Sequence, residues 1–171
     1  MRKIVILTTL VLLAFCCAAN SMAEVFLGLK KLRVWTQQGI TLDQYAEVCR
    51  KLDVELLSLT VSSERGRKDN LTEAFAGVFQ HYRLALEVWQ YKYSGPETRE
   101  YIPAGSSLGR ELIQSYPEIV QMGESGEIID WMPYSEEAGI SIEGAVAVIW
   151  HCAGRELGQA EKMYFRKVLF P

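Results

Sequence analysis

Gly105-Ser106-Ser107-Leu108-Gly109 fits the pattern G-x-S-x-G, and Asp130 and His151 follow in the Ser, Asp, His order of α/β-hydrolases. In that chemistry the imidazole takes the serine proton as the oxygen attacks an acyl carbon, and the carboxylate orients the imidazole. An elbow that exposes such a serine needs a buried strand feeding a sharp turn. Neither Tyr101-Ile102-Pro103 nor any other segment supplies a run of parallel strands. The chain has two histidines, His81 and His151, so one of them following a serine carries little information. The plainer role for Ser107 is helix capping. A small exported serine hydrolase is therefore kept as an alternative, and no residue is assigned as catalytic.

Metal and haem chemistry lack their residue patterns. A di-iron helix pair needs Glu-x-x-His, but Val78 and Val148 stand three residues before the two histidines. There is no Cys-x-x-Cys-His and no closely spaced Cys/His set for zinc. No metal and no cofactor is expected. The aromatic residues are more suggestive, because Trp and Tyr join apolar area to a hydrogen-bonding tip. Most of them are expected to fill the core. Trp131 and Tyr134, flanking Pro133 in a loop-like stretch, have less structural need to be there, and with Tyr101 and His151 they form the candidate ligand or partner site.

These residues must be positioned by helices. Phe26, Leu29, Leu32 and Thr36 fall three or four apart, and Gly39 ends that first pattern. Thr41 with Gln44 forms a capping box, and Tyr45, Val48, Cys49, Leu52, Leu56 and Leu59 make the apolar stripe of a second helix from Leu42 to about Val61. Asn70 with Glu73 opens a third helix with the cleanest stripe of the chain, Leu71 through Tyr93, ended at Ser94-Gly95-Pro96. A last helix is expected from about Ile142 to Val168.

Residues 95–140 differ, with recurrent Gly and Pro and one short helix expected from about Leu108 to Tyr116, stopped by Pro117. The fold class predicted is all-α: a helical bundle of about four long helices with a long Gly/Pro-containing crossover.

The start of the chain sets the compartment. Arg2 and Lys3 lead into an unbroken run of apolar and small residues, Ile4 to Ala19, closing on Ser21-Met22-Ala23. This is the pattern of a secretory leader, so residues 1–23 are read as a signal peptide and 24–171 as a single helical domain. The competing readings are a retained anchor and a lipoprotein modified at Cys16. A periplasmic or secreted location follows, with no membrane span after leader removal.

Export also removes Cys16 and Cys17 and leaves Cys49 and Cys152 as one pair. In an oxidising compartment these are expected to form a disulfide. Net charge is −3 for the whole chain and more negative without the two leader cations. No dense basic patch is visible, so nucleic acid is not expected as a partner.

Leu29-Lys30-Lys31-Leu32, Gly39 to Tyr45, and Arg50-Lys51-Leu52 together resemble the short helical hairpin of SHOCT-type bacterial domains. That resemblance implies an interaction or oligomerisation hairpin. The functional expectation is an exported helical protein acting as a ligand-binding or protein-interaction module. Its partner would be a small ligand or an envelope protein, and a homo-oligomer or an envelope scaffold is also considered.

Overall fold

The computed structural model describes residues 22–63, 70–124, 129–131 and 138–169. The described chain is mostly helical. Its first helix, α1, covers residues 22–38, and α2 follows over Leu42–Ser63. The turn between them is made by Gly39, whose φ of 99° is one that L side chains rarely adopt. Thr41 and Gln44 cap α2 reciprocally: the Gln44 N–H donates to the Thr41 hydroxyl and the Thr41 N–H donates to the Gln44 side chain, each at 3.3 Å. Met22 and Ala23, the last residues of the expected leader, already belong to α1, and Met22 packs against the core.

The third helix, α3, spans Asn70–Tyr91, and a last long helix, α6, spans Ile142–Leu169. These two make the most extensive helix contact, and α2 packs on α3. Contacts of α1 reach all three. Phe26 stacks on Tyr164 of α6 with ring centroids 4.5 Å apart and lies 5.9 Å from Phe75 of α3. Lys30 pairs with Glu161 at 2.8 Å, and Gly28 lies so close to Leu52 of α2 that a methyl there would overlap it. Each long helix thus runs antiparallel to its sequence neighbour in the set, and their apolar stripes meet in one core that includes Leu29, Tyr45, Phe75, Tyr82, Ile149 and Leu157.

Between α3 and α6 the chain is more ordered than its Gly and Pro content foretells. It forms β1 (Tyr101–Pro103), α4 (Ser107–Ser115), α5 (Pro117–Glu124), β2 (Ile129–Trp131) and β3 (Ala138–Ser141). The strands pair antiparallel in the order β1-β3-β2, with Ile102 and Ile129 both opposite Ile140. Strands of three and four residues are too short to show an alternation in sequence, so the sheet leaves no periodic signal there. Ile102 and Ile140 are fully buried and fix the sheet to the core. Pro117 both ends α4 and opens α5: it disfavours helical backbone at Tyr116 and needs no N–H partner at the first helical position.

The expected disulfide is absent. Cys49 and Cys152 are both buried free thiols and do not stand at bonding distance. Each does sit on the apolar stripe of its helix, but the stripes meet different neighbours. Cys49 lies beside Tyr45 of its own helix, whereas Cys152 Sγ lies 3.8 Å from the Glu118 carboxylate of α5. A stripe shows that a residue is buried and leaves open which neighbour it meets.

Candidate functional site

Among the described residues, ionisable groups converge most clearly where α3, the α4–α5 junction and α6 meet. His81 of α3 stands between Tyr116 and Glu156: its Nδ1 is 2.5 Å from the Tyr116 hydroxyl and its Nε2 is 3.0 Å from Glu156 Oε2. A neutral imidazole offers one N–H and one lone pair, so this pairing assigns the proton to Nε2, donating to Glu156, and makes Nδ1 the acceptor of the Tyr116 O–H.

Burial, then the nearby Cys152 and Glu156, push the Tyr116 phenol well above the ordinary tyrosine range, which keeps it a donor. Beside it, Glu118 bonds to Arg155 at 3.3 Å and lies against Cys152. Burial raises the Cys152 thiol as well, with Glu118 adding to the effect. A low-pKa nucleophilic thiolate is therefore not what this setting favours.

The carboxylate–imidazole–phenol chain has the connectivity of a catalytic relay but not its access. Tyr116 is 3% exposed and its hydroxyl is spent on His81, so solvent reaches the chain mainly from the Glu156 end, whose side chain is 42% exposed. Its evident role is to tie three elements together. Replacing His81 with alanine is expected to lower stability by about 2 kcal/mol, because it unpairs the buried Tyr116 hydroxyl, and Tyr116→Phe by about 1 kcal/mol. Urea unfolding measures both. Equal stability of His81→Ala and the parent would show that the tie contributes nothing.

A cleft of about 270 Å³ opens at the start of α6, lined by Lys92, Glu100, Tyr101, Ser141, Ile142 and Glu143. Ser141 caps the helix by accepting the Gly144 N–H at 3.3 Å, and the Ile142 N–H donates to the Glu100 carbonyl at 3.0 Å. Lys92 is held by Glu143 at 2.7 Å. That contact raises the ammonium pKa and lowers the carboxyl pKa.

Of the residues expected to form a ligand or partner site, Tyr101 lines this cleft. His151 is exposed further along α6, roughly 13 Å from Ile142 by helix rise. Trp131 lies on the outer strand β2, its backbone paired with Ala138 of the central strand β3, while its side chain and the whole of Tyr134 lie outside the described residues.

In the G-x-S-x-G segment it is Ser106 that caps α4, accepting the Gly109 N–H at 3.0 Å and donating to the Pro103 carbonyl at 2.7 Å. Ser107 is the exposed first residue of the helix. Gly109 packs so tightly on Pro103 and Ala104 that a Cβ would overlap their backbone. No hydrogen bond joins Ser107 to His151 among the described residues. Nor is any group of three or more His, Cys, Asp or Glu among them placed to hold a metal ion.

No sequence window contains this chain of groups, whose members are separated by 35 and 40 positions. The available signal was a glutamate beside Leu157 on the apolar stripe of α6, and a histidine beside the stripe residue Tyr82. Together these features define a mostly helical protein with a three-stranded sheet and a polar tie joining α3, α6 and the α4–α5 junction. Comparison with family models, with curated proteins and with solved structures finds no match to this chain.

Proposed function

We propose that this is an exported protein of a periplasmic or secreted compartment, a bundle of four long helices with a Gly/Pro-containing crossover, that acts by binding a partner surface. Export rests on the leader pattern of residues 1–23. The observation that carries the binding role is the exposed apolar surface: Val54, Leu57 and Val61 recur along the outer face of α2, 55–65% exposed, where a solvated helix would carry charge. A small-molecule role draws less support, because the cleft beside Tyr101 is polar and Lys92 is already paired there.

Expression of the full chain in a Gram-negative host, with fractionation and intact mass spectrometry, tests export: the expected product is periplasmic and lacks residues 1–23. A photo-crosslinking residue at Leu57 tests binding, with the exposed Arg83 of α3 as the control position. Adducts in intact cells are expected at position 57 only. Equal labelling at both positions would sink the binding role.

A further inference from the structure

The exposed apolar residues are concentrated at one end of the helices. Phe26 of α1 meets Phe75, Tyr164 and Phe165, Glu24 faces Glu55, and Gly28 meets Leu52. The start of α1 therefore lies with the start of α3 and with the later turns of α2 and α6. Leu27, Val54, Leu57, Val61, Phe165 and Leu169 are all at this end, each at least 46% exposed.

Two further features coincide with it. The last turns of α6 carry the exposed cations Lys162 and Arg166. The chain also enters α1 here, at Met22, directly after the apolar run Ile4 to Ala19 and its two leading cations.

From these we infer that this end of the helices is a lipid-contacting face, which docks on an anionic bilayer surface. The inference rests on the binding role proposed above and names its partner. Apolar side chains at the ends of α2 and α6 would enter the headgroup boundary, and the α6 cations would meet lipid phosphate. An aromatic such as Phe165 beside Arg166 suits that boundary. No described helix is long and apolar enough to cross a membrane, so the contact is with the surface and not through the bilayer. A leader inserted in the membrane delivers this same end to it during export, whether or not the leader is later cut. Among the described residues, Glu24, Asp53, Glu55 and Glu73 bring acidic charge to this end, and they limit how strongly anionic lipid is attracted.

The test uses the purified full chain, as its host processes it, with vesicles of phosphatidylglycerol or of phosphatidylcholine. Co-sedimentation is expected with phosphatidylglycerol, to be weaker with phosphatidylcholine, and to fall at high salt. The double variant Leu57→Glu/Leu169→Glu, at side chains 65% and 66% exposed, should partition about tenfold less while keeping its urea midpoint. Amide exchange on the vesicles should slow in residues 54–63 and 162–169. A variant that partitions like the parent would show that these side chains do not carry the contact and would overturn the inference. So would equal binding to both lipids. A homodimer by light scattering, lost in the double variant, would assign the face to a second copy: the lipid partner falls and the binding role stands. If neither vesicles nor self-association respond to the double variant, and position 57 gives no cellular adduct, both fall.

Discussion

Tyr45→Ala is expected to lower stability by about 4 kcal/mol, and Tyr45→Phe by about 1–3 kcal/mol. Tyr45 is fully buried and belongs to α2, but it joins three helices. Its hydroxyl donates to the Tyr82 carbonyl of α3 at 2.8 Å and accepts the Trp150 indole N–H of α6 at 3.0 Å. Its ring lies 5.6 Å from Trp150 and 5.9 Å from Trp89, which are themselves edge to face at 5.6 Å.

Alanine removes the ring and opens a cavity between α2, α3 and α6. Phenylalanine keeps the ring and removes the hydroxyl alone, so the difference between the variants separates packing from hydrogen bonding. The Trp150 N–H is left unpaired in both, but Trp150 is only half-buried and water offsets part of that cost. Urea unfolding followed by circular dichroism gives both values. A Tyr45→Phe midpoint equal to the parent's would remove the hydroxyl from the account and leave the aromatic packing.

What was legible in the sequence was the regular part. The Thr41/Gln44 capping box places the start of α2 at Leu42, and apolar periodicity and breakers place the other long helices to within two residues, with α3 starting at Asn70 and α6 at Ile142. Pro117 marks the end of α4 for a reason that is purely local. The sheet was not legible, because Ile102, Ile129 and Ile140 find one another across spans that no short window covers.

Burial of both cysteines was legible and their pairing was not. Facing direction depends on how each helix is rotated against its neighbours, and a 3.6-residue period is blind to that. The same limit hid His81, Tyr116 and Glu156, whose meeting is a product of helix packing. G-x-S-x-G misled in the opposite way. Its serines and glycines have a local explanation, a helix cap and a close approach, that needs no substrate.

The fold should lose stability steeply above about pH 9, and this is the second large effect expected. Burial pushes the Cys49 thiol from 9.0 to about 12, and pushes the Tyr82 phenol from 10.0 to about 12. Tyr45, Tyr116 and Cys152 are raised in the same direction, chiefly by burial. Between its ordinary and its raised value, each group keeps its proton in the folded chain and loses it in the unfolded one. The folded chain then holds more protons, so stability falls as pH rises.

The contribution is complete below the ordinary value and is lost as pH climbs to the raised one. At roughly 1.4 kcal/mol per pH unit and group, Cys49 and Tyr82 together remove about 4 kcal/mol by about pH 11. That is a large part of the 5–15 kcal/mol, roughly, that holds a domain folded.

Two variants make the assignment specific. Cys49→Ala should flatten the decline between about pH 9 and 11. Tyr82→Phe should flatten it from about pH 10 upward and be neutral or stabilising at pH 7, since the Tyr82 hydroxyl is buried without a partner among the described residues. Urea midpoints measured across this range decide the matter. A flat midpoint to about pH 11 in the parent would show that these acids ionise without unfolding the chain, and a Tyr82→Phe variant weaker than the parent at pH 7 would reveal a partner for that hydroxyl.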